Sequence, residues 1–557
     1  MAKERKVFLR AQRRRDRIEQ KISENKKIPK LKQEHFTTLL TQALEQKPHK
    51  NTQVHLHVGP ANSGKTYHAI ESLKKFKTGV YLSPLRLLAW EIADKLNAQG
   101  HPCSLLTGEE KIIIPNAPFM ASTVEMFHPD ETVDCVVLDE SQMLADEQRG
   151  WAWMRVLATC NAKQLEIIAA PNAEKLLHKI LEKFGYPTQT THHQRLCPLT
   201  VAPKPWRIDH PIENTIYVVF TRSSVLNLKT YFEKRGWSVA AIYGNLPPEV
   251  KKAQAERFTS GEAKLCVATD AIGMGINLPA ERVCLTTLMK YDGQSQRLLT
   301  PAETLQIAGR AGRFGIKEFG EVGALTHDEL KQVRELLSMP PPDLEFTRVS
   351  IELSDLQKME GSMLHRLEIW EKHHAIPNEL RDVILPADLE QQKRLASFLK
   401  EDVIQQMGLE TALTLIKTPV GKESFNYWMR CVQNILQREP MPLPQAQKTA
   451  HSAQARDVLL QTENIVGECD IYLWLAHRLN DHFYGPEEET VLKYKWEMIE
   501  KIEHELSHSS RLQPICRKCG NKLPIVHAYS VCEPCFQLGR KRFFSKPKHK
   551  KFKLPRH

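Results

Sequence analysis

Residues 59–66 read Gly-Pro-Ala-Asn-Ser-Gly-Lys-Thr, directly after the apolar run Val-His-Leu-His-Val at 54–58. A strand, a glycine-bearing loop and a helical stretch in that order suit the phosphates of a nucleotide. Gly59 and Gly64 allow a tight loop that continues through Pro60, Ala61, Asn62 and Ser63, with backbone N–H groups facing the phosphates. Lys65 brings a positive charge to the β- and γ-phosphates, and the Thr66 hydroxyl is placed to ligate Mg²⁺. Val-Val-Leu-Asp-Glu-Ser-Gln (136–142) supplies the other half of such chemistry. A buried strand delivers Asp139 to hold Mg²⁺ through its water shell and Glu140 to orient and deprotonate a water. Gln142 either senses the γ-phosphate or simply occupies a first helical turn.

Phosphoryl transfer also needs positive charge on the γ-phosphate. Gln-Ile-Ala-Gly-Arg-Ala-Gly-Arg-Phe-Gly (306–315) offers Arg310 and Arg313 three residues apart, expected on one helical face with Gln306 one turn earlier. An arginine fork donates several hydrogen bonds and keeps its charge. In Val-Ala-Thr-Asp-Ala-Ile-Gly-Met-Gly (267–275), Asp270 and Gly273 can approach the nucleotide. Thr221, Arg222 and Ser223 close another strand and suit phosphate contact, although Ser and Thr also cap helices.

Four cysteines near the end form two pairs, Cys516/Cys519 and Cys532/Cys535, twelve residues apart. Four thiolates so spaced suit tetrahedral Zn²⁺, and a segment this short needs a metal to hold a fold. Its neighbours Arg517, Lys518 and Lys522 and the aromatic-interspersed basic tail favour nucleic acid over protein docking. The other eight cysteines are scattered, several in apolar strand-like runs, and read as buried thiols in a reducing compartment.

The elements that must position these residues follow from hydrophobic period. Short apolar runs alternate with helical stretches from about 51 to 340, which predicts parallel, doubly wound sheets. A proline-bearing connector at 192–211 divides them into two α/β lobes. The expected order is a basic extension (1–50), an ATP-binding α/β lobe (51–205) and a second α/β lobe (206–340), the pair together resembling RecA-like lobes. A helical domain (341–445), a second helical domain (446–510), a zinc module (511–539) and a basic tail (540–557) follow. The fold class is therefore α/β with two tandem parallel-sheet lobes, an α-helical C-terminal region and a small zinc knuckle. Of the net charge of +12, residues 1–33 carry +9 and residues 540–557 another +9, leaving −6 between them. Two basic arms on an acidic body suit a polyanion partner. No run of 18 apolar residues exists, so no membrane span is expected. The N-terminus lacks the apolar core of a secretory signal and carries acids unusual in a transit peptide, so a cytoplasmic location is expected, with the mitochondrial matrix as alternative.

Taken in order, GPANSGKT, PLRLLA, LDESQ, VVFTRSS, ATDAIGMGINL and QIAGRAGRFG resemble a superfamily-two DExH-type helicase. With TYHAI (66–70), SPLRLLAWEIA (83–93), SLLTGEE (104–110), RGWAW (149–153) and YGNLPPE (243–249), the chain resembles the Suv-three family, RNA helicases of the mitochondrial degradosome and bacterial relatives. The resemblance implies ATP-dependent 3′-to-5′ unwinding of RNA, often also of DNA or hybrids. It implies nucleic-acid contacts for Pro84, Arg86, Thr107, Gly108, Thr123, Thr221 and Thr269, with Arg222 beside them. It also implies a strand-separating hairpin, which 288–300 fits with Asp292-Gly293 at the turn. Three readings stay open: an RNA helicase of RNA turnover, a DNA or hybrid helicase of repair, and an ATP-driven clamp serving an exoribonuclease. The chain carries no nuclease signature, so degradation needs a partner.

Overall fold

The computed structural model describes residues 38–46, 51–128, 132–273, 275, 278–291, 295–312, 319–373, 376–421, 423–444, 455–479 and 488–508, with Cys519, Asn521 and Pro534. Of the basic extension, residues 1–37 and 47–50 lie outside them, as do the basic tail, Arg313 and three of the four paired cysteines; residues Thr38–Gln46 form a helix, and Cys519 is exposed. The described residues divide into two compact units: those from 38 to 198 with 247–250 and 339–503, and those from 199 to 246 with 251–338 and 504–508.

The first unit is built on eight strands: β1 (Gln53–Val58), β2 (Gly79–Ser83), β3 (Cys103–Leu106), β4 (Lys111–Ile112), β5 (Phe119–Thr123), β6 (Cys135–Leu138), β7 (Gln164–Ala169) and β8 (Thr188–His192). They lie in the order β4-β3-β5-β2-β6-β7-β1-β8, all parallel except the β3–β4 pair. The central runs are apolar without alternation because helices cover both faces, and all residues of β2 and β6 are buried. The helix Glu174–Phe184 buries Leu176, Leu177, Ile180, Leu181 and Phe184, the stripe expected from its 3.6-residue period.

The second unit holds β9 (Leu199–Val201), β10 (Thr215–Val218), β11 (Val239–Ile242), β12 (Leu265–Ala268), β13 (Arg282–Leu285) and β16 (Gly320–Ala324) in the parallel order β11-β12-β10-β13-β16-β9. Strand β9 sits in the connector, so this unit starts at Leu199 rather than at 206. Between β13 and β16, β14 (Met289–Tyr291) and β15 (Gln296–Leu298) pair antiparallel, which forms the expected hairpin; residues 292–294 at its turn lie outside the described residues.

The helical region belongs with the first unit. A short parallel pair, β17 (Thr347–Val349) and β18 (Ile384–Pro386), ties it there. The Thr347 hydroxyl donates to the Leu144 carbonyl (3.0 Å), and the Asp388 amide donates to the Glu147 carbonyl (2.7 Å). Helices Phe425–Gln437, Ala455–Ala476 and Glu488–His508 follow, and no described helix is long and apolar enough to cross a membrane.

One expectation fails in the second unit. The helix Pro301–Ala308, opened by a Thr300/Glu303 capping box and Pro301, stops before Arg310. Gly309 is its C-cap, and Gly312 adopts φ +68°. A Cβ at Gly312 would lie 2.5 Å from the Gly320 nitrogen. Arg310 therefore stands on a glycine-bounded turn, not on a helical face. Gly312→Ala is expected to destabilise this unit by roughly 2–5 kcal/mol, combining left-handed strain with overpacking against backbone. Urea unfolding of the full chain measures it, and an unchanged midpoint would contradict the close approach.

Candidate nucleotide and nucleic-acid site

The phosphate loop follows β1. The Gly59 amide donates to the Ala169 carbonyl (3.2 Å), and a Cβ there would come within 2.6 Å of the His193 carbonyl. Asn62 (φ 59°) and Gly64 (φ 80°) both turn left-handed, after which helix Lys65–Leu73 begins with no side-chain cap. Its first amides are thus left for an anion, and the helix dipole favours one. The Lys65 ammonium donates to the Gly59 and Pro60 carbonyls (2.5 and 2.6 Å), so the charge is stored inside the loop. Burial lowers its pKa, opposed by Glu140 and Asp139 nearby. Thr66, the next residue, is half-buried on the same turn.

Strand β6, two places from β1 in the sheet, ends at Leu138 and delivers Asp139. Asp139 is buried; the Tyr81 hydroxyl donates to Oδ2 (2.6 Å) and the Glu140 amide to Oδ1 (2.7 Å). Burial first, then the Glu140 charge, raises its pKa to about 7. A carboxylate so placed gains its ionised form when a divalent cation arrives, which suits Mg²⁺ binding with Thr66. The Trp153 indole donates to the Asp139 carbonyl (3.0 Å) and fixes the turn. Glu140 takes φ 49°, a strained conformation for a non-glycine residue that commonly marks a working site. The Gln142 amide donates to Glu140 Oε2, while its Oε1 accepts from the Ala170 amide (3.1 Å). Gln142 therefore links the acidic pair to the end of β7 and is more than a first-turn residue.

Pro84, Thr107, Gly108 and Thr123 follow or end β2, β3 and β5, three adjacent strands. Their environments differ. Thr107 is buried, bonded to the Glu110 amide and carbonyl. Thr123 is buried at the end of β5. The Pro84 carbonyl accepts from Arg149 (2.5 Å), and the Gly108 carbonyl from Arg478 (3.0 Å), whose guanidinium stacks on Trp474. A Cβ at Gly108 would lie 3.1 Å from that indole. Arg86 does not present its charge to a ligand. It is largely buried, 3.3 Å from Glu109, 3.5 Å from Glu110 and 3.6 Å from Asp470, whose carboxylate also meets Lys495 at 3.0 Å. Its expected role as a nucleic-acid contact gives way to that of an internal ion hub.

In the second unit Thr221 caps helix Arg222–Glu233, its Oγ1 accepting from the Ser224 amide (3.0 Å), and Arg222 lies over the Tyr243 ring. Thr269 is buried, its amide bonded to the Ile242 carbonyl and its Oγ1 to the Ala271 amide. Gln306 packs on Gly273, whose carbonyl accepts from Arg310 (2.6 Å). Asp270 pairs with Lys290 of the hairpin rather than standing open. Lys290 also reaches Glu303 (3.2 Å), which Arg297 grips with both prongs (2.7 and 2.7 Å). Burial alone would raise the Glu303 pKa; Arg297 and the Thr300 amide, with Lys290, hold it down at about 2. Tyr81, Trp153, Arg478 and Lys290 were not singled out from sequence. The RGWAW and YLWLAHR segments carried two of them unread.

Residues 41–193 match the family model of the DEXQ-box helicase domain of Suv3, and residues 201–315 match the helicase conserved C-terminal domain. The DExH-box ATP-dependent RNA helicase DExH16, mitochondrial, of Arabidopsis thaliana is 34% identical over 457 residues, covering 80% of this chain and 79% of the relative. The chain belongs to the Suv3 family of ATP-dependent helicases. The rice protein named ATP-dependent RNA helicase SUV3, mitochondrial, is 32% identical over 80% of this chain and 78% of its own length. Human SUPV3L1, a longer protein also named a mitochondrial ATP-dependent RNA helicase, is 31% identical over 77% of this chain and 57% of its own length. The family corrects the DExH reading of the acidic box. Its fourth position is Gln142, so this is a DEXQ box, consistent with the Gln142 link to Ala170.

For this Suv3-family helicase, Glu140→Gln is expected to retain ATP binding and slow hydrolysis roughly 100- to 10,000-fold. Steady-state turnover with a parallel nucleotide-binding assay measures both, and near-normal turnover would remove Glu140 from the chemistry. Arg86→Ala should act on stability first. Unpaired buried carboxylates cost about 3–5 kcal/mol. A melting curve alongside an RNA-affinity measurement separates the two roles; weakened affinity at unchanged stability would restore Arg86 as a ligand contact.

Proposed function

We propose that this Suv3-family protein hydrolyses ATP to move 3′-to-5′ along single-stranded RNA and opens duplexes on the 288–300 hairpin, in the service of RNA turnover. One observation carries the reading. A single sheet edge in the first unit presents the phosphate loop and the acidic pair after β1 and β6, and Pro84, Thr107, Gly108 and Thr123 after β2, β3 and β5. Ligands of parallel sheets sit at the carboxyl ends of strands. Nucleotide and strand therefore share one edge, and a change at one is felt by loops that adjoin the other.

The chemistry divides among this chain's residues. Lys65 leaves its loop carbonyls for the β- and γ-phosphates, and Thr66 and Asp139 hold Mg²⁺. Glu140 positions and deprotonates the attacking water. Arg310 and Arg313 place charge on the γ-phosphate when the reaction proceeds. RNA is favoured over DNA because the relatives compared are named RNA helicases. Nothing favours the DNA-repair or clamp readings. Those relatives are also named mitochondrial, which supports the mitochondrial matrix; the cytoplasmic expectation has no support among them. Cys516, Cys519, Cys532 and Cys535 would hold a structural Zn²⁺, and an exoribonuclease would supply the degradation that this chain lacks.

ATPase stimulation by poly-RNA against poly-DNA tests the assignment; stronger stimulation by DNA would overturn it. The hairpin exposes Met289 and Tyr291. Replacing both by Ala removes a stacking surface worth roughly 1–3 kcal/mol per base. Duplex separation should slow about 10-fold while RNA-stimulated ATPase stays within about 2-fold. Equal loss of both would indicate a folding role. Deleting 511–557 should flatten the slope of log affinity against log salt by about 3 units, at about 0.7 per phosphate on single strands. An unchanged slope would turn the tail into a docking element.

A further inference from the structure

Beneath the phosphate loop lies a cluster that the ATPase chemistry does not use. His55 and His57 stand on the same face of β1, two residues apart, and Glu166 lies directly opposite His55 in the parallel β1–β7 register. Glu166 Oε2 is 2.7 Å from His57 Nε2 and 3.4 Å from His55 Nδ1. These three donor atoms all lie within 4.8 Å of one another. Two ligands of a tetrahedral zinc ion, each at about 2.0–2.1 Å, stand about 3.4 Å apart. The His55–Glu166 distance already has that value, and the His57–Glu166 contact needs to open by about 0.7 Å.

We infer that His55 Nδ1, His57 Nε2 and Glu166 Oε2 bind one divalent transition-metal ion of the zinc class, separate from the Mg²⁺ of the nucleotide. The atoms around the three donors are arranged as supporting groups of a metal site are. His57 Nδ1 is 3.0 Å from His193 Nε2, and His55 Nε2 is 2.8 Å from the Thr191 hydroxyl. Each ring can donate its remaining N–H outward and turn a lone pair inward. Glu166 Oε1 accepts from the Ser72 hydroxyl (2.5 Å) and the Gln164 amide (3.1 Å), leaving Oε2 for the ion. His57 and Glu166 are almost fully buried while the His55 side chain is 26% exposed, which gives the ion an entry on one side. Water completes the coordination.

The position gives the site a consequence. His57 is two residues from Gly59, and the His193 carbonyl is the group that excludes a side chain at Gly59. An ion here cross-links β1 and β7 at the base of the phosphate loop, and through His57 braces the segment after β8.

The test uses the full chain and Co²⁺ as a spectroscopic probe, with Zn²⁺ competition. The paired cysteines are the rival ligands, so Cys516, Cys519, Cys532 and Cys535 are replaced together by Ser. That variant should still bind one Co²⁺, with visible bands of a nitrogen–oxygen site and no thiolate charge-transfer band, and Zn²⁺ should displace it. His55→Gln in the same background should abolish the bands. Ser72→Ala, which leaves all three ligands in place, should weaken binding about 10- to 100-fold. No cobalt binding in the variant with these four cysteines replaced would overturn the proposal and leave a proton-sharing cluster. So would binding that His55→Gln and Ser72→Ala leave unchanged. ATP hydrolysis is not the readout, so the outcome is independent of the helicase assignment.

Discussion

Strands buried on both faces must pair parallel and cross over through helices, and that constraint governs everything else in this protein. Parallel strands send all their carboxyl ends to one edge. In the first unit that edge receives the phosphate loop after β1, the Asp139/Glu140 pair after β6 and the Gln142 anchor at the end of β7. The same edge receives the loops after β2, β3 and β5. Because β2 neighbours β6, Tyr81 on β2 reaches across to Asp139, so one strand serves both halves.

The charges at this edge are kept by protein groups until ligands replace them. Lys65 is held by the carbonyls of its own loop, and Asp139 by a phenol and an amide. A buried ammonium and a buried carboxylate both lie away from their ordinary pKa values in the direction that favours the neutral form. Under the proposed assignment, a nucleotide bound with its metal would replace these weak internal partners by full charges and concentrate binding energy where the reacting phosphates lie.

Short-range structure was legible in the sequence: the GPANSGKT loop follows β1, the LDESQ turn follows β6, and the hairpin that the resemblance implied pairs as β14 and β15, because each is decided by residues within a few positions. Arg310 was misplaced because a period of three reads as a helical face, while Gly309 and the left-handed Gly312 end the helix first. The lobe boundary was set late because β9 is only three residues long and sits among prolines. The ion pairs of Arg86 are not legible in the sequence, because two of its partners, Glu249 and Asp470, are far away along the chain. No local pattern announces such a pairing.

That pairing explains why the helical region folds with the first unit rather than by itself. Helix Ala455–Ala476 brings Asp470 and Trp474 to the loops after β2 and β3, and Arg478 just past its end bonds the Gly108 carbonyl. Lys495, on helix Glu488–His508, neutralises Asp470 from the other side. Arg86 lies among four carboxylates, with Glu249 at 3.5 Å beside Glu109, Glu110 and Asp470, and such a cluster is costly unless further cations share the charge. Lys495 supplies one. The loop after β3 is thus held by a side chain more than 350 residues away along the chain. Packing at the glycine favours the same arrangement, since a Cβ at Gly108 would come 3.1 Å from the Trp474 indole, closer than an ordinary contact. The backbone at this edge is therefore held from behind, and the helical region is part of the first unit's framework.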